Sequence, residues 1–155
     1  MNYLIRATNK RLWYVNEFLI PEMLKQGISE KEIRVFEDNS GNLSSFINMC
    51  KFIAENYRWY DFVWVLQDDV MISDDFYKKT FEFRNIEVNG FCSGVDNIEN
   101  SGFLQPDKSW LSFQCKNLRA DKLEYFLDWY KVSIQYNSKI KSLANTGKHD
   151  DLIYF

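Results

Sequence analysis

The stretch that most constrains this chain is Asp61-Phe62-Val63-Trp64-Val65-Leu66-Gln67-Asp68-Asp69-Val70. Phe62 to Leu66 is apolar without interruption, and no polar residue alternates through it. Such a run suits a strand buried on both faces, as in a parallel sheet covered by helices. It leads into two adjacent carboxylates. In open α/β sheets ligands bind beyond the carboxyl ends of the strands, which is where Asp68 and Asp69 would sit. Side by side in a crevice they repel unless something positive compensates them, so the pattern suggests a divalent cation carrying a phosphorylated ligand. A solvated turn ending the strand is the plain alternative.

The flanking chain agrees with an α/β fold. Tyr3-Leu4-Ile5 reads as a first strand, followed by the polar loop Arg6 to Arg11. Leu12, Val15, Phe18, Leu19 and Met23 recur at helical spacing, which predicts a helix over about 11–25 with Gln26-Gly27 as its stop. Pro21 lies inside that pattern and should kink or locally end it. Ile33 to Glu37 reads as strand two, and Asp38-Asn39-Ser40-Gly41-Asn42 as the loop at its end. Leu43, Phe46, Ile47, Cys50, Ile53, Ala54 and Tyr57 then form one helical stripe. The order β-α-β-α-β up to Leu66 is that of a parallel sheet with right-handed crossovers.

Beyond the acidic pair, Ser73 or Asp74 is placed to cap a short helix over about 75–83. Val88 to Val95 suggests a weaker strand, Asp96 to Lys108 a loop, and Trp110 to Cys115 another strand. Asn117 is placed to cap a helix carrying Leu118, Leu123, Phe126, Leu127 and Tyr130, with a final helix over about 132–143. With 155 residues, 46% of them hydrophobic, one domain with a sizeable core is expected.

Charge and cysteine usage narrow the function classes. A net charge of −3 gives no overall attraction to duplex nucleic acid or anionic membrane. Lys116, Arg119 and Lys122 offer at most a weak basic patch on the expected helix, better explained as a solvated face. Cys50, Cys92 and Cys115 form no CxxC pair and suggest reduced thiols in a cytoplasmic protein. No signal peptide and no membrane-spanning stretch is expected. Aromatic residues reach 17%; core packing accounts for most of them, although some, such as Trp110, Trp129, Tyr130 and Tyr136, could line a cleft or a partner surface.

Four polar clusters fall at expected strand ends or in loops that can face one side: Arg6 to Arg11, Asp38 to Asn42, Asp68-Asp69, and His149 to Asp151. Convergence of this kind distinguishes a site from scattered surface charge. Arg6, Lys10 and Arg11 are either surface cations or charge compensation for a diphosphate. Asp38 is either a ligand contact or the start of an Asx turn. His149, the single histidine, has no second histidine with which to form a two-histidine metal site. The chain contains no P-loop, no G-x-G-x-x-G and no G-x-S-x-G.

Val65-Leu66-Gln67-Asp68-Asp69-Val70, followed by Ile72-Ser73-Asp74-Asp75-Phe76, resembles the DxD region of GT-A glycosyltransferases. The first strand and loop, the second strand ending at Asp38, the segment Trp110 to Trp129 and the late His149-Asp150-Asp151 extend the resemblance along nearly the whole chain. It implies a Rossmann-like GT-A sandwich, with a mostly parallel central sheet flanked by helices in one domain. The nucleotide-binding half would span about 1–70 and the acceptor half about 71–155.

It further implies a divalent metal, Mn or Mg, on Asp69, with Asp68 touching the metal through water or the ribose. Asp38, Thr8 and Arg6 would bind the nucleotide, and Asp151, with Asp150 as second candidate, would act as the base of an inverting transfer. The partners implied are a nucleotide-sugar donor and a hydroxyl acceptor: a saccharide, lipid-linked glycan, protein or modified nucleic-acid base.

Two departures bear on this. Gln67 replaces the first carboxylate of the acidic triplet, and the chain ends at Phe155, four residues after Asp151. They suggest a minimal or truncated member, or one whose acceptor site a homo-oligomer or partner subunit completes. The competing expectation is a non-catalytic nucleotide-sugar-binding or assembly subunit of the same fold. A nucleotidyltransferase would show a glycine-rich basic N-terminal loop, and Arg6 to Arg11 has no glycine.

Overall fold

The computed structural model describes residues 1–87 and 115–136. It is an α/β fold with a four-stranded, mixed but mostly parallel sheet and flanking helices. The strands are β1 (Asn2–Ala7), β2 (Ile33–Glu37), β3 (Phe62–Gln67) and β4 (Cys115–Arg119), in the spatial order β2-β1-β3-β4. β1 runs parallel to both neighbours, Tyr3 pairing with Ile33 on one side and Trp64 on the other. The chain divides into two compact units, 1–37 with 62–118 and 38–61 with 119–155.

In the first unit the apolar run of β3 does what its composition requires. Val63, Trp64, Val65 and Leu66 are each at most 1% exposed, and because neighbouring side chains on a strand point to opposite faces, both faces of the strand are covered. At about 1.5–3 kcal/mol per large apolar side chain, this burial is a leading contribution to the unit's stability. Tyr3, Ile5 and Ala7 of β1 join Trp64 and Leu66 in one core cluster with Val15, Leu19 and Met23 of the helix that follows β1.

That helix is continuous from Asn9 to Lys25 but irregular. It opens as a 3₁₀ turn (Asn9–Arg11), continues through α1 (Leu12–Tyr14), widens into a π turn (Val15–Leu19) and closes as α2 (Ile20–Lys25). Pro21 explains the widening. It has no N–H to donate to the Glu17 carbonyl, and its ring would crowd that oxygen in a regular helix. The Ile20 N–H bonds Val15 O instead, so the chain absorbs the proline in a bulge rather than a break.

Among the described residues no helix is long and apolar enough to cross a membrane. α4 (Phe76–Glu82) follows the acidic turn, and its flank is locked by Asn117 of β4. The Asn117 amide Nδ2 lies 3.0 Å from Phe83 O, 3.4 Å from Arg84 O and 2.8 Å from Ile86 O. Asn117 is thus a strand residue with a buried side chain, not the cap of a helix. Lys116 is also in β4 and fully buried, so it joins no solvated basic face.

The second unit holds α3 (Asn42–Asn56) and α5 (Ala120–Tyr136), joined by an edge-on contact of Phe46 and Phe126 with ring centroids 5.9 Å apart. α5 starts three residues later than its expected cap. Its first N–H groups are satisfied by distant carbonyls, Ala120 N to Asp61 O and Asp121 N to Trp59 O, both at 3.0 Å. It also runs unbroken through Lys131 and Val132, where two helices were expected. The expected strand at 88–95, the loop at 96–108 and the segment 110–114 lie outside the described residues, as do 137–143 of the expected last helix.

Candidate functional site at the strand ends

In the order β2-β1-β3-β4, the chain leaves β1 towards one side of the sheet and returns from β2 to β3 on the other. The crevice between the carboxyl ends of β1 and β3 is therefore the topological switch point, where open α/β sheets bind ligands. β1 pairs with β3 through Arg6 opposite Gln67. The residues that follow, Thr8 to Arg11 and Asp68-Asp69, are thereby brought to one place.

Asp68 is fixed from three directions. Its Oδ2 accepts the Thr8 N–H at 2.8 Å and the Thr8 hydroxyl at 3.1 Å, and its Oδ1 accepts from Arg11 Nη1 at 3.1 Å. The residue is 6% exposed. Burying a carboxylate is costly unless it is hydrogen-bonded and charge-compensated, and here it is both.

Asp69 differs. Arg11 Nη1 also reaches its Oδ2, at 2.8 Å, but the Asp69 side chain is 44% exposed and that of Arg11 52%. A half-exposed pair of this kind contributes about 0.2–1 kcal/mol. Arg11 Nη1 lies against an oxygen of each carboxylate, so the guanidinium offsets part of the repulsion between two like charges held side by side. Its hydrogen bond to Asp68, with Asp69 beside it, raises the Arg11 pKa above its ordinary value. One guanidinium facing two carboxylates still leaves one negative charge uncompensated.

Three tethers hold the acidic turn against the first helix. The Tyr14 hydroxyl donates to Val70 O at 3.0 Å. Gln26 donates from Nε2 to Ser73 O at 2.9 Å and accepts the Tyr77 N–H at 3.1 Å through Oε1, thereby capping the first turn of α4. The expected side-chain caps, Ser73 and Asp74, do not perform this role. The Ser73 hydroxyl instead bonds Asp75 at 2.7 Å, and with Lys79 it holds the Asp75 carboxyl below the usual carboxylate range.

Arg6 lies in β1, one residue before the strand ends. Asp38, in the second unit, makes the Asx turn: its Oδ1 accepts the Ser40 N–H at 2.7 Å and its Oδ2 the Asn48 side-chain amide at 2.8 Å, tying the loop to α3. Asp150 and Asp151 lie outside the described residues, as do Trp110 and the Tyr136 side chain. Trp129 and Tyr130 pack on Phe126 at centroid distances of 6.0 and 5.9 Å, which favours the core role for both.

Arg11 is the member of this cluster that the sequence indicates least directly. It appeared only as one of several loop cations, although its position just after the first strand was the available signal. Trp13 and Phe18, 58% and 54% exposed, meet edge-on with centroids 5.9 Å apart on the same helix.

The donor set limits what kind of cation could be held. Among the described residues no group of three or more His, Cys, Asp or Glu side chains is arranged to bind an ion by itself. Ions such as Mg²⁺ commonly take only one or two protein carboxylates and complete their shell with water and ligand phosphates. Asp69, engaged through a single oxygen and half exposed, fits that use; Asp68, bonded through both oxygens, fits it less well. No protein-family model, no curated protein and no solved structure matches this chain.

Proposed function

We propose that the chain is a nucleotide-sugar-dependent glycosyltransferase of the GT-A kind, which moves a sugar from a nucleoside diphosphate to a hydroxyl acceptor. The observation that supports this reading best is the Thr8-Arg11-Asp68-Asp69 cluster at the switch point between β1 and β3. It combines cationic and anionic groups at the place where this sheet order binds nucleotides.

In this reading Asp69, assisted by Asp68, would hold a divalent cation, Mn or Mg, whose charge would offset that developing on a departing diphosphate. Thr8 and Arg6 line the nucleotide pocket, and Asp38 takes the base or ribose in exchange for its turn contacts. Asp151, with Asp150 beside it, accepts the proton of the acceptor hydroxyl as that oxygen attacks the anomeric carbon, which gives inversion.

A second reading, a non-catalytic nucleotide-sugar-binding subunit, is favoured by one observation. Asp68 spends both oxygens on the protein's own donors, which is what a structural carboxylate does. A thermal-shift panel of nucleoside diphosphates and their sugars, each with and without Mn²⁺, separates the two. Stabilisation by one nucleotide only with metal is the expected outcome, followed by sugar transfer to an acceptor. Stabilisation that ignores metal supports the binding subunit, and no stabilisation by any nucleotide removes both.

A further inference from the structure

Arg11 bridges the two carboxylates that the proposed function assigns to a divalent cation: one nitrogen, Nη1, lies 3.1 Å from Asp68 Oδ1 and 2.8 Å from Asp69 Oδ2. The proposed chemistry needs those carboxylates for an ion and also needs positive charge on the diphosphate. With Arg11 Nη1 on one oxygen of each carboxylate, a second cation placed between them would meet the repulsion of its charge. We propose that Arg11 is an exchangeable internal cation: it bridges Asp68 and Asp69 in the free protein, then swings onto the ligand's diphosphate when metal and ligand enter together.

The geometry supplies the means. Arg11 is half exposed and closes the 3₁₀ turn at the start of the helix, so its long side chain can change partner while the backbone stays still. Asp68 retains its Thr8 bonds when Arg11 departs and keeps its position. Guanidinium forks bind phosphate oxygens as readily as carboxylates. The free protein therefore keeps one cation between its two acidic side chains, and metal alone must compete with Arg11, whereas metal with diphosphate offers Arg11 a new partner.

This inference rests on the diphosphate-site reading, and the two fail differently. The probes are Mn²⁺ alone and inorganic pyrophosphate with Mn²⁺, titrated calorimetrically into wild type, Arg11→Met, Arg11→Lys and Asp69→Asn. In Arg11→Met, Mn²⁺ alone should bind about threefold to tenfold more tightly, and pyrophosphate with Mn²⁺ about tenfold more weakly. Arg11→Lys separates exchange from a through-space charge effect. A lysine keeps the charge but lacks the planar fork that grips two phosphate oxygens at once, so exchange predicts pyrophosphate binding between wild type and Arg11→Met. Wild-type values in Arg11→Lys would mean that charge alone matters, and would overturn the exchange.

Unchanged or weaker Mn²⁺ binding in Arg11→Met, with Asp69→Asn still abolishing the Mn²⁺-dependent part, would overturn the Arg11 proposal alone. Full Mn²⁺-pyrophosphate binding by Asp69→Asn would overturn the site itself. A structure of the pyrophosphate complex should place Arg11 on a phosphate oxygen and off Asp69; Arg11 still bridging both carboxylates would refute the exchange.

Discussion

Asp68 and Asp69 are neighbours in different surroundings. The first is buried with three donors and the second is half exposed with one. Removing Asp68 leaves the Thr8 N–H and hydroxyl without their acceptor, so Asp68→Ala should cost about 2–4 kcal/mol in chemical denaturation. Asp69→Ala should cost less than about 1 kcal/mol while removing Mn²⁺-dependent ligand binding. Equal destabilisation by the two substitutions would show that the division of roles is wrong. The sequence displayed both carboxylates and the loop cations. It could not display that Arg11 pairs across 57 residues, because that depends on how the crossover returns β3 beside β1.

At the scale of elements, β3 was legible because five consecutive apolar residues leave a strand no solvent face. β2 and α3 were legible from their spacing, with the observed boundaries at Ile33–Glu37 and Asn42–Asn56. β4 was not, since Lys116, Asn117 and Arg119 read as polar surface or helix cap. The burial of Lys116 and Asn117 depends on the fold and not on local spacing, Asn117 facing three carbonyls after α4 that lie far away in the chain. The start of α5 was hidden for the same reason, its first N–H groups being met by carbonyls about 60 residues earlier.

One local device is testable directly. Gly41, which precedes α3, has φ 91° and ψ 162°, a conformation nearly exclusive to glycine, and a Cβ there would meet nothing within 4 Å. Gly41→Ala should therefore destabilise by about 1–3 kcal/mol through backbone strain alone. An unchanged unfolding midpoint would show that the loop relaxes freely.

Over the whole molecule, the acidic groups set how stability responds to pH. Arg119 bonds Asp121 twice, at 2.6 and 2.7 Å, and holds its carboxyl below the usual carboxylate range. A carboxyl depressed on folding contributes stability that is fully present above its unfolded pKa, about 3.9, and is lost as pH falls through the lower folded value. Stability should thus fall below about pH 4, and Asp121→Asn should be less stable at neutral pH but lose less on acidification. Parallel pH curves for the two proteins would remove Asp121 from the acid response.

The widened turn at Val15–Leu19 also sets the angular setting of the helix. A π turn holds one residue more than the regular helix around it, and each helical residue advances the chain by about 100°. Shortening that turn by one residue would rotate everything ahead of it, Arg11 included, by roughly that angle about the axis on which Met23 is anchored. A proline two residues past the turn thereby governs, from a distance, whether the guanidinium faces the carboxylates at all.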